Sequence, residues 1–156
     1  MSATTEINQQ DLSRFRAVLK NLKGLEHDDA FFDVIGASGA SLIHHNLTTT
    51  KQEPQTATPW VALNEDYAKK KAENSSGGIL DYTGAMIDSA NSWNLLPQGG
   101  VEWGSNMVYA ARQHYGFVKG GKTITPARPW LAFSDENIDE MHQEATEYVE
   151  KMVSAS

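Results

Sequence analysis

Residues 79–133 limit this chain more than any other stretch, because they can form neither one helix nor one long strand. Gly84, Gly99, Gly100, Gly104, Gly116, Gly120 and Gly121 interrupt them, together with Pro97, Pro126 and Pro129. Glycine weakens regular structure through its entropy, and proline fixes φ and removes an N–H donor. Three of the four tryptophans, Trp93, Trp103 and Trp130, lie inside the same stretch. A segment so apolar and so often broken must be a set of short elements packed on a core. Helical patterns flank it on both sides, and nothing in it forms a recognisable catalytic constellation.

Within this centre, Asp81-Tyr82-Thr83-Gly84 is a turn signal. Residues 89–96 read as a strand, Pro97-Gln98-Gly99-Gly100 as a turn and Val101-Glu102-Trp103 as a returning strand, which together predict an antiparallel hairpin. Residues 107–115, with Tyr109 and His114, predict a short helix that stops at Gly116. Residues 117–122 read as a loop or hairpin tip. Across residues 125–131, Pro126 and Pro129 forbid a helix and predict a stiff extended link. That link holds Arg128 for one specific carboxylate or carbonyl contact and delivers Trp130 and Leu131 to the core.

The flanks are simpler. Leu12, Phe15, Leu19 and Leu22 recur at helical spacing before Gly24, predicting a helix that covers the core. A second helix starts near Asp28, and its Gly36, Ala37, Gly39 and Ala40 permit another element to approach closely. Residues 48–59 read as an exposed polar loop, and Trp60 opens the next apolar stretch. Asn64 is an N-cap for a helix over residues 65–73, whose lysines at 69, 70 and 71 read as a solvated face. The last helix is capped by Ser134 or Asp135, and Ile138, Met141, Ala145, Tyr148, Val149 and Met152 form a stripe expected to enter the core. Residues 1–8 read as frayed. The order of helices, hairpin-bearing centre and helix predicts an α+β fold: several helices on a small antiparallel sheet, with a long C-terminal helix, in a single domain over residues 1–156.

Composition narrows the function. The chain has no cysteine, which removes disulfides, thiolate metal sites and thiol catalysis. A net charge of −7 argues against sequence-independent duplex binding, which needs clustered Lys and Arg. No run of apolar residues is long enough to span a bilayer, and the N-terminus lacks a signal pattern, so a soluble intracellular protein is expected. Gly36-Ala37-Ser38-Gly39 is not a nucleophile elbow, and Gly116, Gly120 and Gly121 before Lys122 lack phosphate-loop spacing. His44 and His45 point about 100° apart on a helix and do not make a metal site. The residues by themselves indicate a binding or structural module with no cofactor and no metal.

Three motifs in order sharpen this. Leu80-Asp81-Tyr82-Thr83-Gly84-Ala85-Met86, Tyr109-Ala110-Ala111-Arg112-Gln113-His114-Tyr115-Gly116 and Pro126-Ala127-Arg128-Pro129-Trp130-Leu131 resemble the phage virion morphogenesis family of tail-completion proteins. Pro59-Trp60-Val61-Ala62-Leu63 and Val101-Glu102-Trp103-Gly104-Ser105 fit the same pattern, so the resemblance covers roughly residues 25–152. It departs from the pattern where Thr125 separates Ile124 from Pro126. The resemblance implies a non-enzymatic virion protein, assembled in the bacterial cytoplasm, at the head-proximal end of a contractile tail. It implies a six-fold ring of copies that caps the tail tube, touches sheath and neck proteins, and binds no specific nucleic acid and no membrane. Trp60, Thr83, Gly84, Tyr109, His114, Gly116, Pro126, Arg128, Pro129 and Trp130 are then candidates for fold and assembly roles. A monomeric adaptor and an enzyme with an unrecognised site are the alternatives.

Overall fold

A computed structural model describes residues 9–155; the expected fraying of residues 1–8 lies outside them. The chain runs α1 (Gln9–Gly24), a 3-10 turn (Leu25–His27), α2 (Asp29–His45), a wider π turn (Asn46–Thr50), β1 (Gln52–Glu53), β2 (Thr58–Pro59), α3 (Glu65–Ala72) and α4 (Ala85–Ala90). It continues with β3 (Trp93–Leu95), β4 (Val101–Trp103), α5 (Ala110–Tyr115), β5 (Phe117–Lys119), β6 (Lys122–Thr125) and α6 (Asp135–Ser154). The fold is α+β. Among the described residues its strands form three separate antiparallel hairpins rather than one sheet.

Caps start the helices where the sequence predicts. The Asp28 Oδ1 accepts from the N–H groups of Ala30 and Phe31 at 3.0 and 3.2 Å. The Asn64 Oδ1 accepts from Asp66 and Tyr67 at 3.0 and 3.4 Å. Ser134 and Asn137 exchange bonds in a capping box at 3.2 and 3.1 Å. Each satisfies donors that a helix start leaves open.

Helix α2 is the hub, packing against α6, β3, β4 and α4. Its small residues are the reason. A Cβ at Gly36 would overlap the Trp93 indole, and one at Gly39 the Trp103 indole. The two tryptophans face each other across the β3–β4 register. Trp103 Nε1 donates to the Gly36 carbonyl at 2.9 Å, and Trp93 Nε1 to the Asp33 carboxylate at 3.0 Å. The hairpin is thereby pinned to the helix by shape and by hydrogen bonds. Beyond it, the C-terminal half of α2 buries Ile43 and continues to Leu47, which meet Trp60, Met86, Ile87, Ala90, Ala110 and Trp130 in the core.

Several expectations change. The α1 stripe does not cover the core: Phe15, Leu19 and Leu22 are 60%, 45% and 39% exposed, while the half-buried positions among residues 13–24 are Ala17, Val18 and Asn21 on a helix that contacts α6. The α6 stripe is half-buried at most, with Ile138 exposed and no residue of that helix fully buried. Residues 48–59 are not a plain loop. The π turn closes with Lys51 N–H on the Asn46 carbonyl at 2.8 Å, and β1 then pairs with β2. The strand expected over residues 89–96 shrinks to β3, since α4 runs on through Ala90. Residues 117–122, by contrast, keep the second of their two readings: they form the end of a hairpin, β5 with β6, around Gly120-Gly121.

Candidate functional site

The three motifs meet at one cleft of about 1000 Å³. Residues 61–64 and α3 supply one part of its lining, the turn at residues 80–86 a second, and Tyr109, residues 123–126 and Arg128 a third. Five of the expected residues line it: Thr83, Gly84, Tyr109, Pro126 and Arg128. Gly84 has φ 79° and begins α4. Its amide donates to Asp81 Oδ1 at 3.1 Å, so the turn and the helix start are one unit. Tyr109 is 40% exposed and stands at the rim.

The other five build the wall behind it. Trp60 Nε1 donates to the Pro129 carbonyl at 2.9 Å, tying the segment after β2 to the proline link. Trp130 is 3% exposed, and its Nε1 donates to the Ala110 carbonyl at 3.3 Å. The backbone N–H groups of Trp130 and Leu131 donate to His114 Nδ1 at 3.3 and 3.4 Å. His114 is therefore an acceptor that fixes the link. Burial pushes its pKa below the ordinary value, partly opposed by Glu53. Gly116 adopts φ 76°, ψ 179°, a region open to glycine alone, and a Cβ there would lie 2.8 Å from the Ala127 nitrogen.

Arg128 joins the first of these parts to the third. Its side chain is 5% exposed; Nε donates to the Val61 carbonyl at 3.0 Å and Nη2 to the Ala62 carbonyl at 3.4 Å. Its own N–H donates to the Gln113 carbonyl at 2.8 Å. The proline frame holds the guanidinium for carbonyl contacts inside the chain, at a junction of the fold.

A second cation shares the cleft, against expectation. Lys71 is 5% exposed, unlike Lys69 and Lys70, and its Nζ donates to the Gly78 carbonyl because residues 74–78 fold back over α3. Burial lowers its pKa, Asp81 opposes that shift, and Lys51 and Arg128 add to it. Among the described residues the ion pair within 4.0 Å is His27–Glu26, so neither Lys71 nor Arg128 has a carboxylate that close. Tyr67 and Tyr82, about half exposed, stand at the edge. Arginine and tyrosine around a concavity are the composition of contact hot spots. Three consecutive lysines look alike in the sequence, so the burial of Lys71 is not legible there; the Ser75-Ser76-Gly77-Gly78 segment after them is the one available sign.

Among the described residues no group of three or more His, Asp or Glu side chains converges as a metal site. No helix there is long and apolar enough to cross a membrane.

Comparison with known proteins supplies a context for this geometry. The model of a family described as phage virion morphogenesis matches residues 9–150. Among curated proteins, the Mu-like prophage FluMu G protein 1 of Haemophilus influenzae is 28% identical over 92 residues. That alignment spans 58% of this chain and 59% of the relative, so the chain covers about three-fifths of the relative's length. No solved structure matches.

Proposed function

The chain belongs to the phage virion morphogenesis family and has a structural role in a phage virion, and from that premise we propose that it completes the head-proximal end of a contractile tail. In this reading copies of the chain close into a ring, six-fold by expectation, that caps the tail tube, meets the sheath and receives the neck proteins of the head. The protein then resides at the tail–neck junction of the virion after assembly in the bacterial cytoplasm.

One observation carries the reading: the chain presents two different apolar surfaces. The first is the α1 stripe of Phe15, Leu19 and Leu22; the second lies on α5 and the β5–β6 hairpin, where Tyr115, Val118 and Ile124 are 79%, 62% and 53% exposed. A ring of identical subunits needs a heterologous contact, in which one surface meets a different one on the next copy. Exposed apolar surface on this scale marks contact sites. The cleft suits the same role. Its ties from Trp60 to Pro129 and from Arg128 to Val61 and Ala62 make a rigid seat, and its lining offers donors and aromatic rims for a bound segment.

The test is mass photometry and electron microscopy of the full chain, alone and mixed with tail tubes that lack it. The expected result is a closed multimer at one tube end. A chain that stays monomeric in both conditions overturns the ring, and a single copy on each tube end favours an adaptor.

A further inference from the structure

The β5–β6 hairpin packs on little but itself. All of β5 is exposed, and all of β6 except Thr125. Its tip is Lys119-Gly120-Gly121-Lys122, and Arg112 joins its base, with Nε donating to the Thr125 hydroxyl at 3.0 Å and the guanidinium 4.4 Å from the Phe117 ring. Val118 and Ile124 are exposed beside these cations. A short isolated hairpin is marginal in water, so an apolar one that projects this way calls for a partner.

Charge says which partner. Residues 103–134 contain Arg112, Lys119, Lys122 and Arg128 and not one Asp or Glu. With −7 on the whole chain and +4 on this stretch, the remainder carries −11. Much of that remainder is concentrated on α6, whose Asp139, Glu140, Glu144, Glu147 and Glu150 are all exposed. Helix α1, with its uncovered apolar stripe, packs alongside α6. The exposed hairpin therefore carries basic and apolar side chains, and the exposed face of α6 is acidic.

We propose that the β5–β6 hairpin of one copy docks on the acidic face of α6 in the next copy, and that this is the repeating contact of the assembly. The inference rests on the ring reading above and gives it its surfaces. Complementary charge sets register and suppresses wrong pairings, while the apolar residues supply contact area. A second copy is favoured over nucleic acid because phosphates would neutralise Lys119 and Lys122 but leave Val118 and Ile124 uncovered.

Charge reversal with complementation tests it. In the full chain, K119E with K122E makes both surfaces acidic, and E140K with E144K and E147K, which leaves only Asp139 and Glu150 against three lysines on that face, makes both basic. Each variant, confirmed as folded by circular dichroism, should lose self-association about tenfold or more in sedimentation velocity. Mixing the two should restore it, because acidic hairpins then meet basic helices and basic hairpins meet acidic helices in alternation. If both variants assemble like the wild type, or if the mixture is not restored, the hairpin contact is wrong while the ring survives. If the wild type itself never assembles, alone or on tail tubes, the ring falls and takes this contact with it. A short DNA duplex added at physiological salt provides the last arm. Binding that K119E with K122E abolishes, with self-association unchanged, would assign the hairpin to phosphate and overturn the proposal.

Discussion

Arg128 and Trp130 sit two positions apart and are buried equally, yet their removal should fail differently. Trp130→Ala empties the core beside Ile43, Leu47 and Trp60, and should lower unfolding stability by about 3–5 kcal/mol in a denaturant titration. Arg128→Ala leaves the cavity wall in place but deprives the Val61 and Ala62 carbonyls of a charged donor, a loss of about 2–3 kcal/mol. Arg128→Lys should recover less than half of that, because lysine lacks the guanidinium fork. Melting of Arg128→Ala like the wild type would mean that the junction does not depend on this side chain. His114 predicts a pH dependence. Its folded pKa lies below the ordinary 6.5, so in the window between the two the unfolded chain binds more protons, and stability rises with pH up to about 6.5. His114→Gln keeps an acceptor for Trp130 and Leu131 with no proton to gain, and should flatten that slope in urea midpoints measured across the window. At this scale the sequence was informative wherever stereochemistry is local: the caps at Asp28, Asn64 and Ser134, and the stop at Gly116, follow from residue type. The burial of Lys71 does not, because it depends on where the Gly78 carbonyl comes to rest.

Among the elements, α2 and the β3–β4 hairpin show most clearly how two patterns interlock. The small residues at Gly36 and Gly39 announced a close neighbour, but they could not say that the neighbour would be a pair of cross-strand indoles. Gly36→Ala should therefore force Trp93 aside at a cost of about 1–3 kcal/mol, whereas Gly24→Ala, with open space around it, should be neutral or slightly stabilising; thermal unfolding of both variants checks the contrast. Helix periodicity was readable throughout, yet it could not say what the stripes on α1 and α6 would face. A core and a missing neighbour select the same residues at the same spacing. The β1–β2 hairpin was hidden for another reason. Strands of two residues, Gln52-Glu53 and Thr58-Pro59, carry no alternation to detect. The candidate cleft was half legible: its turn and its proline link stand out as motifs, whereas α3 joins it only through tertiary folding.

For the whole molecule, the ring proposed above would use the exposed stripe on α1 in assembly and not in folding. Phe15→Ser with Leu19→Ser should leave monomer stability within about 0.5 kcal/mol per site, as for surface positions, while binding to tail ends falls; a large loss of monomer stability would return that stripe to the fold. The long ties have a different consequence, in the order of synthesis. Trp60 waits for Pro129, Val61 for Arg128, and Gly36 for Trp103, across separations of 69, 67 and 67 residues. At a translation rate of about 5–20 residues per second, Trp60 stays unpaired for roughly 3–14 s on the ribosome before Pro129 is added. Until that interval ends, Ile43, Leu47 and Trp60 lack the cover that Trp130 provides, and the core they share with Met86 and Ala110 stays incomplete. The first half of this chain should therefore be a client of nascent-chain chaperones, released only when its last third emerges.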